Sequence, residues 1–101
     1  MRDLVFNFSE RNFLVTGGSR GIGRGIVVAL AEAGANVAFT YKSNRDAAEE
    51  LVARLEHCSG RVVAIQADAR KSQGAEGLVE RVEEALGPLD GLVNNAGVKH
   101  D

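Results

Sequence analysis

The sequence predicts an α/β fold built on a parallel sheet, and three observations lead to that prediction. Four short apolar runs typical of strands alternate with three segments whose apolar residues recur at helical spacing. The run TGGSRGIG, residues 16–23, joins the first strand to the first helix, and the run NNAG, residues 94–97, follows the fourth strand. This βαβαβαβ alternation favours right-handed crossovers and the strand order 3-2-1-4, an incomplete doubly wound fold.

The first half of the chain contains two predicted strands around one predicted helix. Residues 12–15 form a short apolar run, and residues 22–33 have the length and apolar content of a helix. Gly34 then ends that helix and introduces a second strand at residues 35–41.

The second helix begins with a capping-box pattern. Ser43 is the predicted N-cap, because an acid, Asp46, stands three residues later. Gly60 is the predicted end of this helix. Its buried stripe is predicted at helical spacing, on Ala48, Leu51, Val52 and Leu55.

The last elements complete the alternation. Residues 61–66 form a nearly continuous apolar run, as expected for a strand buried on both faces. Ser72 starts a third helix that Gly87 ends, and residues 89–93 are the fourth strand. The predicted buried stripe of the third helix consists of Leu78, Val79, Val82 and Leu86.

Length and composition bound the class of protein. The 101 residues make one domain at most, and 45% hydrophobic with 26% charged residues describes a soluble globular chain. A net charge of −2 gives no electrostatic footprint for nucleic acid, and no uncharged apolar run is long enough to span a membrane. The single cysteine, Cys58, cannot form an internal disulfide, which fits a reducing compartment. We therefore expect a cytoplasmic protein.

The glycine-rich run is interpreted as a phosphate-binding turn. Glycine at positions 17, 21 and 23 removes side chains where the turn is tight and where a pyrophosphate approaches the main chain. The free N–H groups and the positive end of the helix dipole would then face the anion. Glycine-rich loops also occur as plain turns, but here a strand precedes the run and a helix follows it. Residues 1–101 are therefore predicted to be a dinucleotide-binding (Rossmann-like) domain.

The end of the second strand indicates which nucleotide binds. An acid about 20 residues after the glycine turn typically binds the ribose 2′-hydroxyl of NAD, and residues 33–45 contain no acid. Lys42 and Ser43 stand there instead, and Arg20 lies within the glycine turn. Cations and hydroxyls suit a 2′-phosphate, which favours NADPH. The alternative is that Lys42 and Arg20 are solvated surface charges.

Three polar residues lie after the third and fourth strands. Asp68 follows the third strand, where spacing alone favours a solvated turn acid or a helix-entry residue. Asn94 and Asn95 can be turn formers, although two asparagines followed by Ala-Gly are more than a turn requires.

Together the TGGSRGIG run, Asp68 and the NNAG run resemble the short-chain dehydrogenase/reductase family, from about Phe8 onward. Within the family, GVKHD (residues 97–101) and YKSN (residues 41–44) resemble the group of bacterial 3-oxoacyl-(acyl-carrier-protein) reductases.

The resemblance implies a set of NADPH-binding residues. Those implied at the cofactor phosphates are Gly17, Ser19, Arg20, Gly21, Ile22 and Gly23. Those implied at the 2′-phosphate are Lys42 and Ser43, assisted by Arg20. Those implied at the adenine are Asp68 and Ala69. Those implied beside the adenosine ribose are Asn95, Ala96 and Gly97, whereas Asn94 would tie the sheet together.

The resemblance implies catalysis by a Tyr and a Lys in a YxxxK motif, with a Ser upstream. The only tyrosine, Tyr41, is on the wrong strand and is followed four residues later by Arg45, so no catalytic residue is predicted. No metal site is predicted either: His57 has no second ligand at metal spacing, His100 is near the end of the sequence, and both are interpreted as surface residues. The first hypothesis is the cofactor-binding portion of an NADPH-dependent ketoreductase without the catalytic half. The second is a non-catalytic nucleotide-binding module or truncated product that associates with another chain through an open sheet edge.

Overall fold

A computed structural model of the protein describes residues 7–67 and 72–95, with side chains of the third helix described from Gly77 onward. The elements alternate as the sequence predicts. In chain order they are β1 (Asn12–Thr16), α1 (Gly21–Glu32), β2 (Asn36–Tyr41), α2 (Arg45–Arg54), β3 (Val62–Gln66), α3 (Ser72–Leu86) and β4 (Gly91–Asn94).

The four strands form one parallel sheet in the order β3-β2-β1-β4, which confirms the predicted fold class. β1 is central, and its carboxyl end lies between those of its two neighbours. Val15 pairs with Phe39 of β2, and Thr16 pairs with Asn94 of β4. The chain leaves β1 next to β4, at the carboxyl ends where the strand order reverses, and open α/β sheets bind ligands in the crevice at such a point.

Helices cover both faces of the sheet. Successive side chains of a strand point to opposite faces, so Leu14 and Val15 lie in different apolar clusters. Val15 packs with residues of α1 and α2 such as Val27 and Leu51. Leu14 packs with α3 through Leu78 and Val82. Among the described residues, no helix is both long enough and apolar enough to cross a membrane.

Two predictions about burial are wrong. β3 is not buried on both faces, because it lies at an edge of the described sheet, where only Ile65 of its residues is buried. Val79 of α3 is 39% exposed, whereas Leu78 and Val82 are buried. Val79 lies at the margin of the apolar stripe, so the helix turns it toward solvent.

The limits of α2 also differ from the prediction. Asn44, and not Ser43, is the N-cap, since its Oδ1 accepts a hydrogen bond of 3.0 Å from the N–H of Ala47. The helix ends at Arg54, well before Gly60. Gly60 has a different role: a Cβ on it would lie 2.1 Å from the carbonyl oxygen of Ala35. That glycine allows two backbone segments to approach, and it does not end the helix.

Polar side chains join the strands at the amino edge of the sheet. The N–H of Asn12 donates to Asp90 Oδ2 at 2.8 Å, and Asn36 Nδ2 donates to Asn12 Oδ1 at 2.9 Å. The N–H of Arg61 donates to Asn36 Oδ1, also at 2.9 Å. This series of bonds runs across the whole sheet and helps to fix its register, which aligns the carboxyl ends of the strands.

Candidate dinucleotide site

The glycine-rich turn leaves β1 in backbone conformations that favour glycine. Gly17 has φ of 70° and Gly21 has φ of 65°, both in the left-handed region. Between them, Arg20 is extended, with φ of −156°, and serves as the N-cap of α1. The turn therefore reverses the chain in a few residues and directs the start of α1 toward the crevice.

The N-terminus of α1 has no cap from its own N-cap side chain. Arg20 makes no side-chain capping bond, and the first turn contains no acidic residue. The first N–H groups of a helix lack intrahelical partners, and the helix dipole places partial positive charge beside them. Ile22 is 65% exposed at this end of the helix. The site therefore offers backbone donors and an apolar surface, which suits a phosphate-bearing ligand.

Close packing explains two further glycines of the turn. A Cβ on Gly23 would lie 2.1 Å from the carbonyl oxygen of Gly17 and 2.7 Å from Asn95 Nδ2. A Cβ on Gly18 would lie 2.7 Å from Phe39 Cβ and 2.8 Å from Val27 Cγ2. The first turn of α1 thus rests directly on the backbone of the glycine turn, and the turn rests on the core.

Two side chains hold Gly17 from opposite sides. The N–H of Gly17 donates to Thr40 Oγ1 at 2.8 Å, from β2. Asn95 Nδ2 donates to the carbonyl oxygen of Gly17 at 3.0 Å, from the end of β4. We call Thr40 and Asn95 the Gly17 clamp. The sequence analysis did not identify Thr40; the available signal was a hydroxyl near the end of an otherwise apolar strand.

The predicted 2′-phosphate residues lie at the same edge of the sheet as the turn. Lys42 and Ser43 directly follow β2 and are exposed, and Arg20 is exposed in the turn after β1. The carbonyl oxygen of Lys42 accepts a hydrogen bond of 3.2 Å from Gln66 Nε2 at the end of β3. These residues stand where the carboxyl ends of parallel strands meet, in agreement with the placement inferred from sequence.

Asn94 contacts the neighbouring strand. Thr16 Oγ1 donates to Asn94 Oδ1 at 3.1 Å, which links β1 to β4 as expected of a residue that ties the sheet. Ser19 is half-buried within the turn. The remaining predicted site residues lie outside the described residues; they are Asp68, Ala69, Ala96 and Gly97.

The remaining reactive side chains that the structure describes are the tyrosine at the end of β2 and a cysteine and a histidine that follow α2. The Tyr41 side chain is buried in the core and only 7% exposed. Cys58 packs against the same core, and burial, reinforced by the charge of Glu32, raises the pKa of its thiol, so the less reactive protonated form is favoured. Neighbouring His57 is exposed. Within residues 7–67 and 72–95, no group of His, Cys, Asp or Glu side chains is arranged to hold a metal ion.

The fold agrees with that of the relatives of the chain. The family model for the short chain dehydrogenases matches residues 11–101, and the chain belongs to that family. It is 42% identical over 92 residues to the 3-oxoacyl-(acyl-carrier-protein) reductase FabG of Staphylococcus epidermidis, an alignment that covers 91% of this chain and 38% of that protein.

Solved structures of related proteins contain the predicted type of cofactor. A short chain dehydrogenase from Burkholderia cenocepacia in complex with NADP is 46% identical, with a TM-score of 0.86 over 93% of this chain and 38% of that one. A blue fluorescent protein from a metagenomic library in complex with NADPH is also 46% identical, with a TM-score of 0.85 over 93% of this chain and 39% of the other. The chain thus spans about two fifths of the length of its relatives. The comparisons support a nicotinamide cofactor.

Proposed function

We propose that this chain is the NADPH-binding portion of a short-chain ketoreductase. The observation that carries the proposal is the N-terminus of α1, which lacks both a side-chain cap and an acid and follows β1 at the point where the strand order reverses between β1 and β4. A pyrophosphate at this point accepts bonds from backbone N–H groups and interacts favourably with the helix dipole.

The preference for NADPH over NADH rests on the charges at the carboxyl edge. Lys42 follows β2 at the position where NAD-binding relatives of this fold usually carry an acid, and Ser43 adds a hydroxyl. Arg20, exposed in the turn, adds a second cation. Two cations attract a doubly charged phosphate, and a hydroxyl can donate to its oxygens.

The proposed substrate class is a 3-oxoacyl thioester on acyl carrier protein, in fatty acid biosynthesis in the cytoplasm. It is supported by the similarity to FabG over most of this chain. The cofactor would supply a hydride to the ketone carbon, and this chain would bind and orient it. The Tyr that protonates the oxygen in such enzymes, and the Lys that lowers the pKa of that Tyr, have no counterpart in residues 1–101.

Titration of the protein with NADPH and NADH by isothermal calorimetry tests the proposal. The unchanged protein is expected to bind NADPH more tightly than NADH. Lys42→Ala is expected to raise the dissociation constant of NADPH by about 10- to 150-fold, because a hydrogen bond to a charged group contributes roughly 1.5–3 kcal/mol. NADH binding should change little, because NADH lacks the 2′-phosphate.

Arg54→Ala is the matched control for charge. Arg54 is exposed and lies in the last turn of α2, which leads away from the carboxyl edge. Its removal should leave both dissociation constants unchanged. Equal affinity of the unchanged protein for NADH and NADPH would refute the cofactor preference, and no binding of either would refute the proposed function itself.

A second candidate function is a nucleotide-binding module that acts by association with a second copy of the chain. It is favoured by the position of β4 at an edge of the described sheet and by Leu92 on that strand, which is 57% exposed. An edge strand presents backbone groups that can pair with another chain.

A further inference from the structure

Thr40 is the most completely buried polar residue at the candidate site. It is 1% exposed, yet both its side chain and its backbone bind the glycine turn. Its Oγ1 accepts from the N–H of Gly17 at 2.8 Å, and its carbonyl oxygen accepts from the N–H of Gly18 at 3.0 Å.

These two bonds continue the pairing of β1 with β2 beyond the point where regular pairing ends. The ladder between the strands has its last pair at Val15 and Phe39. The pairing of β1 with β4 extends one residue further, to Thr16 and Asn94, and the glycine turn then begins. Thr40 therefore binds the glycine turn to β2 beyond the last residue pair of the β1–β2 ladder.

Thr40 holds two successive peptides of the turn: its hydroxyl binds the N–H of the peptide that joins Thr16 to Gly17, and its carbonyl oxygen binds the N–H of the peptide that joins Gly17 to Gly18. Gly17 has φ of 70°, and its carbonyl oxygen accepts a hydrogen bond of 3.0 Å from Asn95 Nδ2. The Cα of Gly23 packs against that same oxygen so closely that a Cβ would lie 2.1 Å from it. A rotation of the peptide that joins Gly17 to Gly18 would therefore displace the first turn of α1, and the Thr40 hydroxyl restrains that rotation by fixing the peptide immediately before it.

We infer that the Thr40 hydroxyl is a positioning residue for pyrophosphate binding, acting through Gly17 on the donors at the N-terminus of α1. The inference rests on the proposed NADPH-binding function. Thr40 need not touch the cofactor itself. By accepting the N–H of Gly17, it holds the turn in the one arrangement that directs the later N–H groups at the ligand, and displacements well below 1 Å weaken such sites.

Thr40→Val tests the hydroxyl with little change in shape, and two ligands separate its effects. NADPH contains both a pyrophosphate and a 2′-phosphate, whereas adenosine 2′-phosphate contains only the latter. Thr40→Val is expected to raise the dissociation constant of NADPH about tenfold, the effect of one hydrogen bond. The dissociation constant of adenosine 2′-phosphate, measured by NMR titration, should stay within about twofold.

Thr40→Ser and Val37→Ala complete the design. Serine keeps the hydroxyl, so Thr40→Ser should restore NADPH binding. Val37 is fully buried near the amino end of β2, so Val37→Ala should lower thermal stability without changing the ratio of the two dissociation constants. This control separates a positioning role from loss of stability alone.

Each outcome decides the inference. An equal loss of affinity for both ligands in Thr40→Val, or an unchanged affinity for NADPH, would overturn it. If Thr40→Val does not fold, Thr40→Ser must match the unchanged protein in both constants, and a loss of NADPH affinity there would equally overturn it. Failure of the unchanged protein to bind NADPH would instead refute the proposed function.

Discussion

Gly23→Ala is the substitution for which the structure gives the clearest expected cost. The added Cβ would lie 2.1 Å from the carbonyl oxygen of Gly17, whereas ordinary van der Waals contact begins near 3.4 Å. The obstacle is backbone, so it cannot rotate away as a long side chain would. The first turn of α1 and the glycine turn must therefore separate by about 1 Å, a strain of the kind that overpacking produces.

The magnitude follows from three contributions to the free energy of unfolding. Overpacking costs about 1–3 kcal/mol, and displacement of Asn95 Nδ2, which would lie 2.7 Å from the new Cβ, costs about 1 kcal/mol more. Alanine offsets about 1 kcal/mol, because it is the better helix former. The net expectation is a loss of about 2 kcal/mol, or roughly 8–16 °C in Tm for a domain of this size.

Gly25→Ala is the matched control on the same helix. Gly25 is exposed in α1, and a Cβ there would meet nothing within 4 Å. The same chemical change should therefore stabilise the protein by about 0.5–1 kcal/mol. Thermal unfolding followed by far-UV circular dichroism compares the two variants, with NADPH titration of each below its transition.

The result that would refute this reasoning is specific. If Gly23→Ala raised Tm as Gly25→Ala should, or bound NADPH as tightly as the unchanged protein, the helix would not rest on Gly17 as described. If both variants lowered Tm, α1 would be intolerant of alanine in general, and the contact between position 23 and the carbonyl oxygen of Gly17 would not be the cause of the destabilisation.

Two further predictions concern catalysis and association. The 101-residue polypeptide should bind NADPH without oxidising it in the presence of a 3-oxoacyl thioester, because Tyr41 is buried and Arg45 stands four residues later; sustained loss of NADPH absorbance above the protein-free rate would contradict this. If the chain associates through β4, sedimentation velocity should show a dimer that Leu92→Lys converts to monomer, because Leu92 is 57% exposed on that edge strand and a lysine there opposes pairing. A dimer that persists unchanged in Leu92→Lys would exclude this edge.

The sequence allowed the fold to be predicted because each signal was local and the signals agreed. Apolar runs of strand length alternated with helical spacing, and Gly34, with φ of 97°, marked the end of α1 as expected. The burial of β3 was misjudged for a non-local reason. An apolar run reports the side chains of a strand, but its burial depends on whether both neighbouring positions in the sheet are filled.

The two errors around α2 have different causes, one local and one non-local. Ser43 and Asn44 are both strong N-cap residues in adjacent positions, and propensity cannot choose between them. Gly60 was interpreted as a helix end because glycine often serves that purpose. Its actual constraint, the carbonyl oxygen of Ala35 on a separate segment, becomes visible only when the chain has folded.

The glycine turn itself shows where sequence reasoning stops. The sequence indicated that Gly17, Gly21 and Gly23 stand where the turn is tight and where a pyrophosphate approaches, but it did not assign either role to a particular glycine. In the structure, the N–H of Gly17 donates to Thr40 Oγ1, and its carbonyl oxygen accepts from Asn95 Nδ2. Gly17 therefore has no backbone donor left for a phosphate, and donation falls to the later N–H groups at the start of α1. The first glycine of the motif fixes the turn so that the later residues can bind, and this division of roles depends on strand order and register.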